Sequence, residues 1–290
     1  MNQLLADLLK VLTLERIEMD LFRGESRDIG SPQVFGGQVL GQALVAASGT
    51  IEGRRVHSLH AYFLRRGDFN LPIVYEVDRA RDGASFSTRR VVAIQNGAQI
   101  FNMSASFQSV EGGLEHQMTP PQVPPPEALV DLQTHIQDSI AHVPERVQRV
   151  LGRARPFEFR PVVLPDYRNP KKLEPQRNVW FRAVGELPDD QSLHRCLLAY
   201  VSDYALLETA LMPHGITSMS PQILMASLDH AMWFHRDVRL DDWLLYSTDS
   251  PSASGARGFA RGSVFTRDGV LVASTAQEGL MRVVNRPQPA

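Results

Sequence analysis

The chain contains a single cysteine, Cys196, in 290 residues. No intrachain disulfide can form, and a reducing compartment is the natural reading. Net charge is nearly absent as well, since 30 Lys and Arg face 32 Asp and Glu, leaving −2. A general nucleic-acid binder is normally basic, so no nucleic-acid partner is expected, although a local basic pocket for a phosphorylated cofactor stays open. No apolar run is long enough to span a bilayer, so no membrane partner is expected. Asp7, Lys10, Glu15 and Arg16 break up the N-terminal apolar residues before a secretory core could form. The terminal Arg286-Pro287-Gln288-Pro289-Ala290 is not a Ser-Lys-Leu peroxisomal address, which leaves the cytoplasm as the expected location.

Several chemical signatures are missing too. There is no His-Glu-x-x-His, no Gly-x-Ser-x-Gly elbow, no Walker A loop and no Gly-x-Gly-x-x-Gly. His57 and His60 are three apart, and His230 and His235 five apart. On a strand such odd spacings point side chains to opposite faces, so neither pair suits a metal, and no metal or cofactor is expected. Cys196 has no motif around it and reads as a packed helix residue.

What is present is a core-forming composition, 43% hydrophobic, arranged in a repeated order. Residues 3–22 begin as an amphipathic helix carrying Leu5, Leu8, Leu9 and Leu12. A second helix over 36–47 is opened by Gly36-Gly37. Strands follow at 57–64, 73–78, 86–95 and 99–108, the last two joined by Asn96-Gly97, the chemistry of a tight hairpin. Residues 110–175, with Pro124-Pro125-Pro126, read as a long connection with a weak helical patch near 128–150. Then come a strand at 179–184, a helix over 192–211, and strands at 223–235, 243–249, 257–266 and 270–278. Ser58-Leu59-His60-Ala61 echoes Ser227-Leu228-Asp229-His230-Ala231 with one insertion. Tyr75–Asp78 echoes Tyr246–Asp249, and the turn Asn96-Gly97 echoes Arg267-Asp268-Gly269. The offsets agree near 170 residues, the mark of an internal duplication. Each copy runs helix, then antiparallel strands, an α+β arrangement in which two copies cover each other's sheets.

On the helix read at 192–211, Leu193, Leu197, Tyr200, Tyr204, Leu207 and Leu211 mark one buried face, and Asp203 shares part of it. A buried carboxylate is costly unless paired. It is either an acid satisfied by an Arg or a backbone amide, or a general base beside a reactive carbonyl. Ser227 opens the strand after that helix and Gln277 closes the last one. Each alone reads as an ordinary satisfied strand residue sooner than as a site residue. Gly36-Gly37 either lets a ligand approach backbone amides or serves a turn that needs glycine.

Val34-Phe35-Gly36-Gly37-Gln38, Val56–Arg65, Arg81–Arg90, Leu228–Arg236 and Ala273–Gly279 together resemble the acyl-CoA thioesterase II family of double-hotdog proteins. The resemblance covers nearly the whole chain. It implies a double hotdog with units at 1–115 and 150–290 and a Pro-rich connection at 116–149. It implies an acyl-CoA substrate, hydrolysed by water that an Asp, a Thr or Ser, and a Gln hold together, here Asp203, Ser227 and Gln277. Gly36, Gly37 and His57 are the expected substrate contacts, and a homodimer or homotetramer is the expected assembly. Ser227 stands where close members carry Thr, and Tyr204-Ala205-Leu206-Leu207 departs from the family pattern, which bears on acyl-chain preference. A hotdog hydratase or dehydratase, using an Asp with a His, and a non-catalytic acyl-CoA binding module are the competing readings. Aligned with the second copy, the first carries Gln42 opposite Asp203 and Ala105 opposite Gln277, so one active site per chain is expected.

Overall fold

The computed structural model describes residues 2–31, 33–140 and 145–284. The terminal segment Arg286–Ala290 lies outside the described residues. Helix α1 (Gln3–Leu12) buries Leu5, Leu8 and Leu12. The Asn2 side chain caps it by accepting from the Leu4 N–H at 2.9 Å. The helix stops there, not at residue 22. Extended Thr13 ends it, and strands β1 (Glu15–Glu18) and β2 (Leu21–Gly24) form a hairpin instead. The four β1 residues are all exposed, so no apolar face exists to continue a helix against the core.

Helix α2 (Gly36–Ser48) follows, then β3 (Arg55–Phe63), β4 (Ile73–Asp82), β5 (Phe86–Gln95) and β6 (Ala98–Gln108). The β5–β6 turn has Asn96 at φ 51° and Gly97 at φ 72°, the left-handed pair that a two-residue hairpin requires. The connection holds more structure than its prolines suggest. It contains α3 (Leu132–Ser139), α4 (Glu145–Leu151) and a strand, β7 (Phe157–Pro161). Its extended part is bonded onto the second half of the sheet. Trp180 Nε1 donates to Pro124 O at 2.9 Å, and Val123 and Leu129 pack on Trp180, Trp243, Leu245 and Phe265.

The second half continues with β8 (Gln176–Ala183), α5 (Gln191–Ser202), β9 (Ile223–Ser227), β10 (Asp229–Phe234), β11 (Leu244–Ser254), β12 (Arg257–Thr266) and β13 (Leu271–Val283). All thirteen strands join one antiparallel sheet in the order β1-β2-β4-β5-β6-β3-β10-β13-β12-β11-β8-β7, with β9 beside β13. The order reads symmetrically outward from the β3–β10 seam, where Leu59 faces Met232 and Ala61 faces His230. The seam is where the two copies meet, and a single buried core runs through both. Leu40 and Leu44 of α2 and Leu197 of α5 are fully buried within it. Each such leucine contributes on the order of 2–3 kcal/mol. Two central helices wrapped by a curved antiparallel sheet make an α+β double hotdog. No helix among the described residues is long and apolar enough to cross a membrane.

The two helices touch directly. A Cβ on Gly37 would lie 2.2 Å from the backbone oxygen of Tyr200. Backbone cannot move aside as a flexible side chain can, so only glycine fits. Within a helix Gly→Ala normally stabilises by about 1 kcal/mol. Gly37→Ala is expected to do the reverse, costing roughly 1–3 kcal/mol by overpacking and lowering the melting temperature by several degrees. An unchanged or raised melting temperature in a thermal scan would show that the helices are not held this closely.

Candidate active site

Three breaks in regular structure converge at one place. Helix α5 starts under an Asp190 cap, whose side chain accepts from the Ser192 N–H. It ends at Ser202, with Asp203 as its C-cap, so the expected helix over 192–211 divides in two. Ala205 follows at φ 58°, a left-handed turn, and a 3-10 helix occupies Leu207–His214. Asp203 therefore sits at the mouth of a turn, not on the continuous face shared with Leu207. Left-handed backbone at an alanine is strained, and such strain concentrates at functional sites.

The second break divides the strand expected over 223–235. β9 ends at Ser227, paired with Gly279, and β10 begins at Asp229. Leu228 between them is tied to both copies, since its N–H donates to Glu278 O at 3.0 Å and its carbonyl accepts from Phe63 N at 2.9 Å. Asp229 accepts from the Glu278 N–H at 2.6 Å. This lacing sets Ser227 beside Gln277, which lies inside β13 and not at its end, because β13 continues to Val283.

The third break is the start of α2. Its N-cap, Phe35, has no capping side chain, and Asp203 of the other copy takes that role. The Gly37 N–H donates to the Asp203 carboxylate. A Cβ on Gly36 would lie 2.7 Å from Asp203 Oδ2.

The outcome is a carboxylate with three donors and no ion pair among the described residues. Gln277 Nε2 donates to Asp203 Oδ1 at 2.6 Å, and Ser227 Oγ donates to the same oxygen at 3.3 Å. Because a carboxylate only accepts, the Gln277 amide must present its NH₂ to it. Its Oε1 is then left buried with no hydrogen-bond partner among the described residues. Burial raises the Asp203 pKa most, the three donors lower it, and the balance holds it at about 6. That is high for a carboxyl and close to neutrality.

Two further residues frame Asp203 and were not expected from the sequence. Ser202 Oγ donates to Ala199 O, so it can only accept from His230, whose Nε2 lies 2.9 Å away. His230 therefore carries a proton on Nε2, and full burial, which holds its pKa down at about 4, keeps the ring neutral. Tyr246 OH donates to the Ser202 carbonyl at 3.1 Å and accepts from Thr275 at 2.8 Å. Both side chain and backbone of the residue before Asp203 are thus fixed. The echo of Tyr75 in Tyr246 was the available signal for this position.

A cavity of about 200 Å³ reaches Ser227, the one member of the trio that lines it, and is bounded also by Gly36, Phe63, Phe101, Arg65 and Arg66. Gly36 thus faces both Asp203 and open space. His57 does not join the site. Its Nε2 lies 2.8 Å from Ser106 Oγ, six residues along β3 from Phe63, roughly 20 Å at the rise of a strand.

The chain matches two family models, one described as "Acyl-CoA thioesterase N-terminal domain" over residues 23–108 and one described as "Acyl-CoA thioesterase" over residues 151–280. It is 44% identical to "Acyl-CoA thioesterase 2" of Haemophilus influenzae, covering 97% of this chain and 99% of the relative. It is 43% identical to human "Acyl-coenzyme A thioesterase 8", covering 96% and 89%. The crystal structure of the acyl-CoA thioesterase II TesB2 from Mycobacterium marinum superposes with a TM-score of 0.79 at 41% identity, over 96% of this chain and 99% of that one. Matches of this identity, running through both copies and the connection, place the chain in the acyl-CoA thioesterase II family.

Proposed function

We propose that this protein hydrolyses acyl-CoA thioesters to CoA and the free acid, with Asp203 as general base and Ser227 and Gln277 orienting the attacking water. The observation that carries the reading is the hydrogen-bonding state of the trio. One carboxylate oxygen already receives two side-chain donors, while the Gln277 Oε1 beside it is buried and unpartnered. A water there can donate one hydrogen to Asp203 and the other to Gln277, which aims its lone pair at a carbonyl in the adjoining cavity. The water oxygen bonds to the thioester carbon and its proton passes to Asp203. The tetrahedral intermediate then collapses, the carbon–sulfur bond breaks, and the thiolate takes the proton. Holding water near contact distance supplies much of the rate. The amide end of α2 faces the same space and favours developing negative charge.

The carboxyl at about 6 suits the task, since a base near the working pH combines basicity with a useful ionised fraction. The dehydratase reading would pair the acid with an imidazole. Among the described residues no histidine hydrogen-bonds Asp203, and His230 is committed to Ser202.

Asp203→Asn is expected to lower kcat/KM by at least about 10²-fold, as loss of a general base does, measured by thiol release from an acyl-CoA. Ser227→Thr keeps the hydroxyl and is expected to stay active. Ser227→Ala is expected to lose about tenfold through poorer positioning. Mass spectrometry during turnover is expected to find no acyl group on Ser227, and trapping one there would replace water attack with covalent catalysis.

The pH dependence follows from the same carboxyl. Only the ionised form accepts a proton, so kcat/KM is expected to fall tenfold per unit below about pH 6. Stability runs the other way. The folded pKa is raised from 3.8 to about 6, so this group's contribution is fully present below 3.8 and lost as pH rises through 6. Asp203→Asn is therefore expected to melt above the wild type at pH 8, by an amount of order 2 kcal/mol, with the advantage gone near pH 4. A variant melting lower at pH 8 would mean that the carboxylate stabilises the fold.

A further inference from the structure

The cavity beside Ser227 has two chemically different ends. Its inner end is formed by Gly36, Ser227, Leu228 and the ring of Phe63. Its outer end is formed by Arg65 and Arg66, both exposed. Neither arginine forms an ion pair among the described residues, although most arginines of this chain do, Arg23, Arg55, Arg79, Arg153, Arg239, Arg257, Arg261 and Arg267 among them. Two adjacent guanidinium groups left without carboxylates, at the rim of the cavity that reaches the site, are an uncompensated positive charge in the path of a ligand.

The segment that carries them is not loose. The Leu64 and Arg65 N–H groups both donate to Ile100 O, at 2.9 and 3.1 Å, and Val34 N–H donates to Gly67 O at 2.9 Å. Arg65 Nη1 donates to Gln99 O at 2.6 Å, which fixes its guanidinium while leaving its other N–H groups available. Arg66 has no hydrogen bond among the described residues. The nearest acid in sequence, Asp68, is occupied by Asn70 and does not neutralise them.

The geometry points to Arg65 and Arg66 as the anchor for the nucleotide phosphates of the CoA moiety. The assignment rests on reading the site as an acyl-CoA hydrolase. An acyl-CoA carries its thioester and its phosphates at opposite ends of a polar, uncharged arm. With the carbonyl at Ser227 and Gly36, the arm leaves through the open end of the cavity. Phe63 packs at Gly36, within 3.0 Å of where a Cβ would stand. Arg65 and Arg66 lie two and three residues beyond it, past the end of β3, at most roughly 7–11 Å along the chain before side-chain reach is added. That places charge at the far end of the arm and none beside the thioester. Guanidinium groups match phosphate oxygens in geometry as well as charge, and paired donors on one phosphate group are the strong case. The cavity lining between the two ends, with Val34, Val39, Ile100 and Phe101, offers the arm a neutral passage.

Calorimetric titration with CoA itself, together with kinetics on acyl-CoA and on the same acyl chain carried by pantetheine, tests this. The variants are Arg65→Gln, Arg66→Gln and the pair, with Arg168→Gln, outside the cavity, as a control for lost charge. The pair is expected to bind CoA at least about tenfold more weakly, as loss of charge-assisted hydrogen bonds does. KM for acyl-CoA rises to match, with kcat within about twofold. The pantetheine thioester, which has no phosphate, is hydrolysed by the pair and by the wild type alike. Arg66→Gln removes no internal hydrogen bond and so reports on binding even if Arg65→Gln disturbs the loop. Unchanged CoA affinity in the pair, equal KM increases for both thioesters, or equal weakening in Arg168→Gln would each overturn the anchor while leaving hydrolysis intact. Weakened CoA binding in the pair, together with a wild type that releases no thiol from either thioester, would do the opposite, keeping the anchor and removing the hydrolase.

Discussion

The contact on which this structure depends is the placing of Asp203 against the N-terminus of a helix from the other repeat. A carboxylate loses hydration when it is enclosed, and among the described residues no cation forms an ion pair with it to compensate. What offsets the cost is the Gly37 amide, the Gln277 and Ser227 side chains, and the positive end of α2. None of these belongs to the segment that carries Asp203. The helix end comes from one copy, the hydroxyl and the amide from strands at the far side of the second copy. The site exists only when both copies are folded onto each other, and α2 gains its missing N-cap in the same contact.

The contact also explains why the seam is so tightly specified. Gly37 leaves room for the carbonyl of Tyr200, and Gly36 leaves room for the carboxylate oxygen. A larger residue at either position would push α2 away from α5 and weaken the offsetting interactions along with the packing. On the opposite side, Leu228 links β3 to β13 through one carbonyl and one amide. A shift of the seam would therefore move Ser227 and Gln277 relative to Asp203. Stability and site geometry are set by the same few backbone contacts.

Much of this was legible beforehand in outline. The repeats at Tyr75 and Tyr246, and the Asn96-Gly97 turn, were enough to pair the strands of the two copies. The periodicity of Leu193, Leu197 and Tyr200 placed α5 correctly. It then misled past Ser202, because the left-handed turn at Ala205 has no signature in an alanine, and Leu207 and Leu211 keep an apolar spacing in a helix of another kind. β1 is exposed along its whole length and displays no apolar alternation, and β2 buries only Phe22 and Gly24, too few positions to stand apart from the helical spacing before it. β7 was hidden in a proline-rich stretch for the same reason of length. Gly36-Gly37 could be read as a place of close approach, but not what approaches it, since that partner lies more than 160 residues away. His57 was drawn toward the site by its place in a long motif. Alternation along β3 says which face a residue takes, not which end of the strand the site occupies.

The duplication leaves two tyrosines in equivalent strands, and the two copies use them differently. In the second copy Tyr246 OH donates to the carbonyl of Ser202, the last residue before Asp203, and so fixes where the acid stands. In the first copy Tyr75 OH donates to the Gln42 side chain, whose own NH₂ donates to the carbonyls of Val11 and Glu25. Every hydrogen-bonding atom of that amide is engaged within the first copy, and a neutral amide cannot take a proton from water at neutral pH. Ala105, which stands where Gln277 would be, is buried and offers no polar side-chain atom. The same scaffold positions thus hold a satisfied polar core on one side and an acid with an unfilled acceptor beside it on the other. A polar group whose hydrogen bonds are complete stabilises a fold. One that is left incomplete next to a cavity is arranged for a ligand.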